Sequence, residues 1–289
     1  MKKLSFIKRS NGRHWVGNGF PVQSIFSYND IHEAMSPFLL MDYAGPTHFE
    51  PTEEQRGVGQ HPHRGFETVT IVYDGEVSHR DSAGGGGTIG TGDVQWMTAA
   101  SGLMHEEFHS PAYAKRGGPF EMIQLWVNLP AKDKMSAPAY QGITDAQIPR
   151  VALPDDAGSV RVIAGQYAGT AGAATTFSPM NVWDLQVKAL RTVRLELPAG
   201  HTTALFVLHG AIRIGDSEEI VRSAELAVLE REGCDLVFHT DEDSVILLLS
   251  GQPLNEPIVG HGPFVMNTRE EIVQAMTDFK EGKFGRMTV

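Results

Sequence analysis

His61-Pro62-His63-Arg64-Gly65-Phe66-Glu67-Thr68-Val69, continued by Thr70, Ile71 and Tyr73, decides how this chain is read. In an extended strand residues i and i+2 point to one face, roughly 7 Å apart, so the two histidines can converge on a single point. Val69, Ile71 and Tyr73 continue the odd parity of His61 and His63, with Thr68 and Thr70 between them, which predicts a strand whose odd positions face a barrel interior. About forty residues on, His105-Glu106-Glu107 repeats the two-residue spacing. Four inward donors on two neighbouring strands make a metal site.

Glu67 shares the odd parity and is a further candidate donor on that face. Neutral imidazoles with a carboxylate suit Fe(II), Mn, Co, Ni, Cu or Zn, and the absence of a cysteine donor argues against a thiolate zinc site. His105-Glu106-Glu107-Phe108-His109 also satisfies the H-E-x-x-H zinc-protease pattern, which works only on a helix. Gly102 and Pro111 would confine such a helix to barely two turns, with no apolar stripe to hold it, so the strand reading is kept. His14, His32, His48, His201, His209, His239 and His261 are assigned ordinary core or surface roles; His79 and His109 stay open.

Composition bounds the setting. The 289 residues suffice for one or two globular domains, and 35 acidic against 24 basic side chains leave a formal charge of −11. Such a surface repels phosphate backbones, which argues against direct nucleic-acid binding. Cys234 is the only cysteine, so no intramolecular disulfide can form and a reducing compartment is expected. Its neighbours suit the start of a strand and a buried structural thiol. Met1-Lys2-Lys3-Leu4 leads into no apolar signal region, and no apolar run is long enough to span a bilayer. The expectation is a soluble, cytoplasmic monomer.

Many short β-branched and apolar runs, bounded by Gly, Pro, Asn and Asp, predict an all-β chain of sandwiches or barrels. The first domain is placed at 1–135, ending on the strand Gln124-Leu125-Trp126-Val127, and the second at 143–289, with Ala131 to Gly142 as linker. The second half repeats the strand-turn rhythm of the first, as in Leu197-Pro198-Ala199-Gly200-His201, but has no H-x-H. Ala168 to Thr176 is read as a surface loop. A C-terminal helix is announced by the capping box Thr268-Arg269-Glu270-Glu271, carries Ile272, Ala275, Met276 and Phe279 at helical spacing, and stops at Gly282.

Two further patterns are set aside. Gly85-Gly86-Gly87-Thr88-Ile89-Gly90 satisfies G-x-G-x-x-G, but the strand-like Asp93-Val94-Gln95-Trp96-Met97 follows where a dinucleotide fold needs a helix, so it is read as a turn. Ser78-His79-Arg80-Asp81 holds the residue types of a catalytic triad, yet sequence neighbours cannot form a linear relay.

His61 to Val69, Ser101-Gly102-Leu103-Met104-His105-Glu106-Glu107, Gln124 to Leu129, and the tail Gly262-Pro263-Phe264-Val265-Met266-Asn267-Thr268 closing on Gly282-Lys283-Phe284-Gly285 together resemble the pirin family of the cupin superfamily. The resemblance spans most of the chain. It implies two cupin jelly-roll β-barrel domains with a short C-terminal helix, and one mononuclear metal, usually iron as Fe(II), in the first barrel. The family's ligands fall on His61, His63, His105 and Glu107, the residues that strand parity selects, while Glu67 becomes a partner orienting a ligand imidazole. Some bacterial members resemble quercetin 2,3-dioxygenases, which open a flavonol with O₂ and release carbon monoxide. Under that reading Glu107 is both ligand and catalytic base, and the substrates are a flavonol and O₂. Members from animals resemble metal- or redox-dependent transcription co-regulators, so the alternative is a regulatory protein acting through protein partners. Trp96, Met97 and Phe66 lie near the motifs, as pocket wall or as core.

Overall fold

The computed structural model describes residues 1–10 and 12–287. Contacts divide the chain into two units, and both are discontinuous in sequence. One comprises Asn11–Tyr28, Phe38–Asp145 and Asn255–Val289; the other comprises Met1–Ser10, Asn29–Pro37 and Ala146–Leu254. The two ends of the chain therefore change places. Leu4–Arg9 pairs antiparallel with Glu225–Leu229, more than two hundred residues away, and the C-terminal tail joins the unit built on the first half.

The two units follow one plan, a seven-stranded sheet and a four-stranded sheet with antiparallel pairing throughout. In the first, the four-stranded sheet runs Gly57–His63, Leu103–His109, Val77–Asp81, Gly86–Ile89. The seven-stranded sheet holds Phe66–Asp74 between Val94–Thr98 and Gly118–Asn128. Val72, Phe120 and Met122 of the larger sheet pack with Val77 and Ile89 of the smaller in one core, so the apolar faces of both are covered.

In the second unit the corresponding four strands are Arg191–Glu196, Asp235–Thr240, Ala211–Ile214 and Ile220–Arg222. Where the first unit carries histidines on its two leading strands, the second has Val193 opposite Phe238 and Leu195 opposite Leu236. All four are buried in its apolar core, so hydrophobic packing fills the place that donors take in the first unit. The repeat without an H-x-H is thus a repeat of topology with an apolar interior.

The C-terminal helix forms as its sequence dictates. It spans Arg269–Lys280, with Thr268 Oγ1 accepting from Glu271 N and Glu271 Oε2 accepting from Thr268 N. Ile272 and Ala275 are buried with Phe264, Met266 and Phe284, and Met276 packs against the same cluster. Phe279 of the expected stripe is exposed.

Three local readings differ from expectation. The linker segment contains a strand, Ala139–Ile143, that pairs with Val94–Thr98, and its Tyr140 packs on Met97, Ala99 and Leu103. Its Lys134 is buried, donating to Gly65 O at 2.7 Å, Asn128 Oδ1 at 2.6 Å and Val265 O at 3.0 Å. Three acceptors satisfy the ammonium. The glycine-rich run forms a short strand, Gly86–Ile89, paired with Val77–Asp81. Cys234 stands just before the strand Asp235–Thr240 and is half-buried rather than buried. Among the described residues no helix is long and apolar enough to cross a membrane.

Candidate metal centre

His61 and His105 face each other directly across the strand pair Gly57–His63 and Leu103–His109. The register slips between His105 and Glu107, so that Glu107 opposes Val58, an irregularity of the kind that re-aims side chains beside functional sites. The imidazole centroids lie 4.1 Å apart for His61 and His105, 4.8 Å for His63 and His105, and 4.9 Å for His61 and His63. One ring nitrogen from each falls within 4.8 Å of the others. The rival zinc-protease helix is absent, because 103–109 is a strand.

The tautomers suit metal binding. His61 Nδ1 lies 2.8 Å from Gly59 O, an acceptor, so Nδ1 carries the proton and Nε2 keeps its lone pair. His105 Nε2 is buried and makes no hydrogen bond, and His63 Nδ1 likewise forms none of good geometry. Burial, and then His61 beside it, holds His63 neutral well below the usual histidine range, against a smaller opposing effect of the Pro263 carbonyl. Burial, then His63, His61 and His79, does the same for His105. A cation need displace no proton from either ring. Orphaned buried nitrogens are costly without a partner, and a transition-metal ion supplies one.

Glu107 lies at the edge of this group. Its carboxylate forms a second cluster with His105 and His79, with donor atoms again within 4.8 Å. Gln95 Nε2 donates to Glu107 Oε1 at 2.5 Å and also to Thr70 Oγ1 at 3.0 Å. The residues thus fit a metal held by three imidazoles, with Glu107 as the neighbouring carboxylate.

Glu67 falls outside both clusters. Thr70 reaches toward Glu107 while Glu67, three residues earlier on the same strand, has opposite parity and accepts from Thr98 Oγ1 at 2.8 Å. The odd parity that holds from His61 to His63 is broken at Arg64 and Gly65, where the chain passes from the smaller sheet into the larger. From there even positions face Glu107, and among the described residues no hydrogen bond joins Glu67 to a histidine. Burial pushes its carboxyl up to about 7, against the opposing bond from Thr98.

A cavity of about 250 Å³ opens on the cluster, with His61, His63 and Glu107 in its wall beside Phe20, Met122 and Trp126. Mostly apolar walls with a few converging polar groups are usual for a small-molecule site. Phe66 stacks under Trp126, centroids 4.3 Å apart, and Trp96 and Met97 are core. A larger cavity of about 390 Å³, lined by Glu53, Arg80, Glu106 and Lys115 among others, includes none of His61, His63, His105 or Glu107.

Residues 19–127 match the Pirin family, and residues 182–285 match the Pirin C-terminal cupin domain. A Pseudomonas aeruginosa protein named, provisionally, a quercetin 2,3-dioxygenase is 59% identical over 286 residues, 99% of each chain. The chain belongs to the pirin family. Its two units are cupin domains, and a crystal structure named quercetin 2,3-dioxygenase from Acinetobacter baumannii matches this pirin over 100% of both chains, at 55% identity and a TM-score of 0.96. Pirin of Homo sapiens is 35% identical over 256 residues, 87% of this chain and 83% of its own. A bacterial pirin from Escherichia coli in complex with nickel(II) is 19% identical, with a TM-score of 0.64 over 86% of this chain and 99% of that one, a likeness of fold.

Sequence reasoning left two neighbours of this pirin's cluster unassigned. His79 Nδ1 lies 3.3 Å from His105 Nδ1, and His79 Nε2 lies 3.3 Å from Asp81 Oδ2. The signal in the sequence is an H-x-D, His79-Arg80-Asp81, with the same two-residue spacing as H-x-H. His109, the other undecided histidine, stacks on Phe120 with centroids 4.9 Å apart and bonds Gly19 O through Nε2 at 2.9 Å. It is a core histidine, and burial lowers its titration to about 4.

Proposed function

We propose that this pirin is a metal-dependent dioxygenase that opens a flavonol such as quercetin with O₂ and releases carbon monoxide. His61, His63 and His105 would hold the metal with Glu107 as fourth ligand, and Fe(II) is the favoured ion, with Mn, Co, Ni, Cu or Zn as alternatives. The observation that supports the reading is the convergence of three imidazole nitrogens, His61, His63 and His105, with the Glu107 carboxylate beside His105 and with His61, His63 and Glu107 in the wall of a mostly apolar cavity. The names of close relatives support the substrate class.

The chain's own groups divide the work. Trp126, Phe20 and Met122 exclude water and offer flat apolar surface to an aromatic ring system. Glu107, oriented by Gln95, takes the proton of the flavonol 3-hydroxyl, which makes the ring electron-rich enough to react. A metal held by His61, His63 and His105 would supply Lewis-acid polarisation of the flavonol oxygen. His61, His63 and His105 would serve as its imidazole donors.

The test is loss of the flavonol absorption band when quercetin and O₂ meet protein reconstituted anaerobically with each of these metals. Turnover should require both metal and His61, and should fail in His61→Ala. Full turnover in a metal-loaded Glu107→Gln variant would remove Glu107 from the base role. Tight metal binding with no turnover would favour a protein that reports the metal's redox state to a partner.

A further inference from the structure

We infer that His79 is a positioning residue of the metal centre, which together with Asp81 fixes His105 in the one tautomer able to bind metal through Nε2. The inference rests on the metal-site reading above and not on the identity of the substrate.

The chain of proton positions can be followed from its far end. Asp81 Oδ1 accepts the backbone N–H of Ala83 at 2.8 Å and of Gly85 at 2.9 Å, bonds that favour a carboxylate. Its Oδ2 faces His79 Nε2 at 3.3 Å, and a carboxylate can only accept, so His79 carries its proton on Nε2. A His79 ring whose single proton sits on Nε2 offers a lone pair at Nδ1. That atom faces His105 Nδ1 at 3.3 Å, and two ring nitrogens in contact share one proton, so His105 Nδ1 is the donor. His105 then has its lone pair on Nε2, the buried nitrogen that finds no protein partner. A carboxylate behind the relay also makes His105 a stronger donor to a cation.

The framework holds the relay in place. Asp81 is paired across the strands with His105, and His79 with Glu107, so the four side chains lie on one face of the sheet. Tyr140 stacks on His79 with centroids 5.1 Å apart and planes 12° from parallel. The arrangement is tight, since a Cβ at Gly85 would lie 2.4 Å from Asp81 Oδ2 and 2.7 Å from Tyr140 Cβ. Buried in this way, His79 and Asp81 have little water to exchange protons with.

The geometry admits one rival, a second metal bound between His79 Nδ1, His105 Nδ1 and Glu107. It would require His105, with Nε2 on the first metal, to give up its one ring proton and bridge as an imidazolate, and Gln95 already occupies Glu107 Oε1.

The experiment measures Co(II) binding to the full chain by chelator competition, together with metal stoichiometry and the Co(II) d–d spectrum. The variants are His79→Leu, His79→Gln and Asp81→Asn. Asp81→Asn keeps an oxygen for Ala83 and Gly85 but can donate to His79 Nε2, which reverses the relay and places a proton on His105 Nε2. The expected result is one Co(II) per chain in the wild type, with affinity lowered about 10- to 100-fold and the d–d bands shifted in His79→Leu and Asp81→Asn. His79→Gln, whose amide oxygen can accept from His105 Nδ1, should recover most of the loss. Unaltered affinity and spectrum in Asp81→Asn would overturn the relay even if His79→Leu failed to fold. Two Co(II) per wild-type chain, falling to one in His79→Leu, would establish the second metal site in its place. Absence of flavonol turnover would leave these readouts intact, and absence of any Co(II) binding to the wild type would remove the metal centre and the relay together.

Discussion

Arg64, the residue after His63, donates from Nη1 to Asp278 Oδ2 of the C-terminal helix at 2.8 Å, an ion pair between groups 214 residues apart. Its Nε donates to Ser101 O at 2.7 Å, and its guanidinium lies over the Phe284 ring at 4.6 Å. The strand that carries two of the three clustered histidines is thus tied to the tail of the chain. Both side chains are largely buried, and removing one partner of such a pair leaves an unsatisfied charge. Asp278→Ala should destabilise this unit by about 3 kcal/mol. A double-mutant cycle with Arg64→Ala, read by thermal unfolding, should show the double variant losing less than the sum of the singles. Hydrogen bonds from Lys283 and then Arg64 hold the Asp278 carboxyl well below the usual range. Its contribution should therefore be present above about pH 4 and fade as the pH falls below that.

Gly65 makes the turn between the two sheets. Its φ of +91° is the left-handed region, and a Cβ there would lie 2.0 Å from Val265 O, a backbone atom that cannot swing aside. Gly65→Ala should cost roughly 3 kcal/mol or more by combining backbone strain with a clash. Limited proteolysis should cut residues 255–289 faster than in the wild type, and chelator competition should show weaker metal binding. An unchanged melting temperature would mean that the tail moves away at little cost.

These two contacts also show where reading the sequence succeeded and stopped. Strand alternation brought His61 and His63 to one point, and His105 and Glu107 to one neighbourhood, because each pair lies within a single strand. It misassigned Glu67 because parity is a property of one strand, and Gly65 ends that strand before the next begins. The C-terminal helix was legible because its cap and its stripe are local. The exchange of Leu4–Arg9 and the tail between the units was not, since antiparallel pairing across two hundred residues leaves no periodic mark. His79 stays undecided at the level of sequence because its neighbour across the strands, Glu107, is 28 positions away.

Gln95 donates to Glu107 Oε1 and is itself bonded by Tyr140 Oη at 3.4 Å, which fixes the amide with its nitrogen toward the carboxylate. Gln95→Leu keeps the volume and removes the donor. The carboxylate should then sample more orientations, and metal affinity should fall about 10-fold or more, the usual cost of losing a partner behind a ligand. Isothermal titration with Ni(II) would measure it. Affinity equal to wild type would place Glu107 outside the coordination sphere.

Glu67 makes the stability of the chain depend on pH. Its carboxyl is buried, one oxygen accepts from Thr98 and the other finds no partner, and burial pushes its titration from 4.5 to about 7. Between those values the folded chain holds a proton that the unfolded chain has released, so this group makes stability fall as the pH rises across that window and adds no further slope above it. The slope is at most about 1.4 kcal/mol per pH unit, and the total is on the order of 3 kcal/mol. The buried histidines contribute the opposite slope below about pH 6.5, so the comparison must be between variants rather than within one profile. Glu67→Gln is neutral and can keep the bond from Thr98. Its stability relative to wild type, from urea unfolding of metal-free protein, should be near zero at pH 4.5 and rise by about 3 kcal/mol by pH 8. A flat difference would mean that Glu67 is ionised in the folded chain, and loss of metal binding in the variant would bring Glu67 back as a donor.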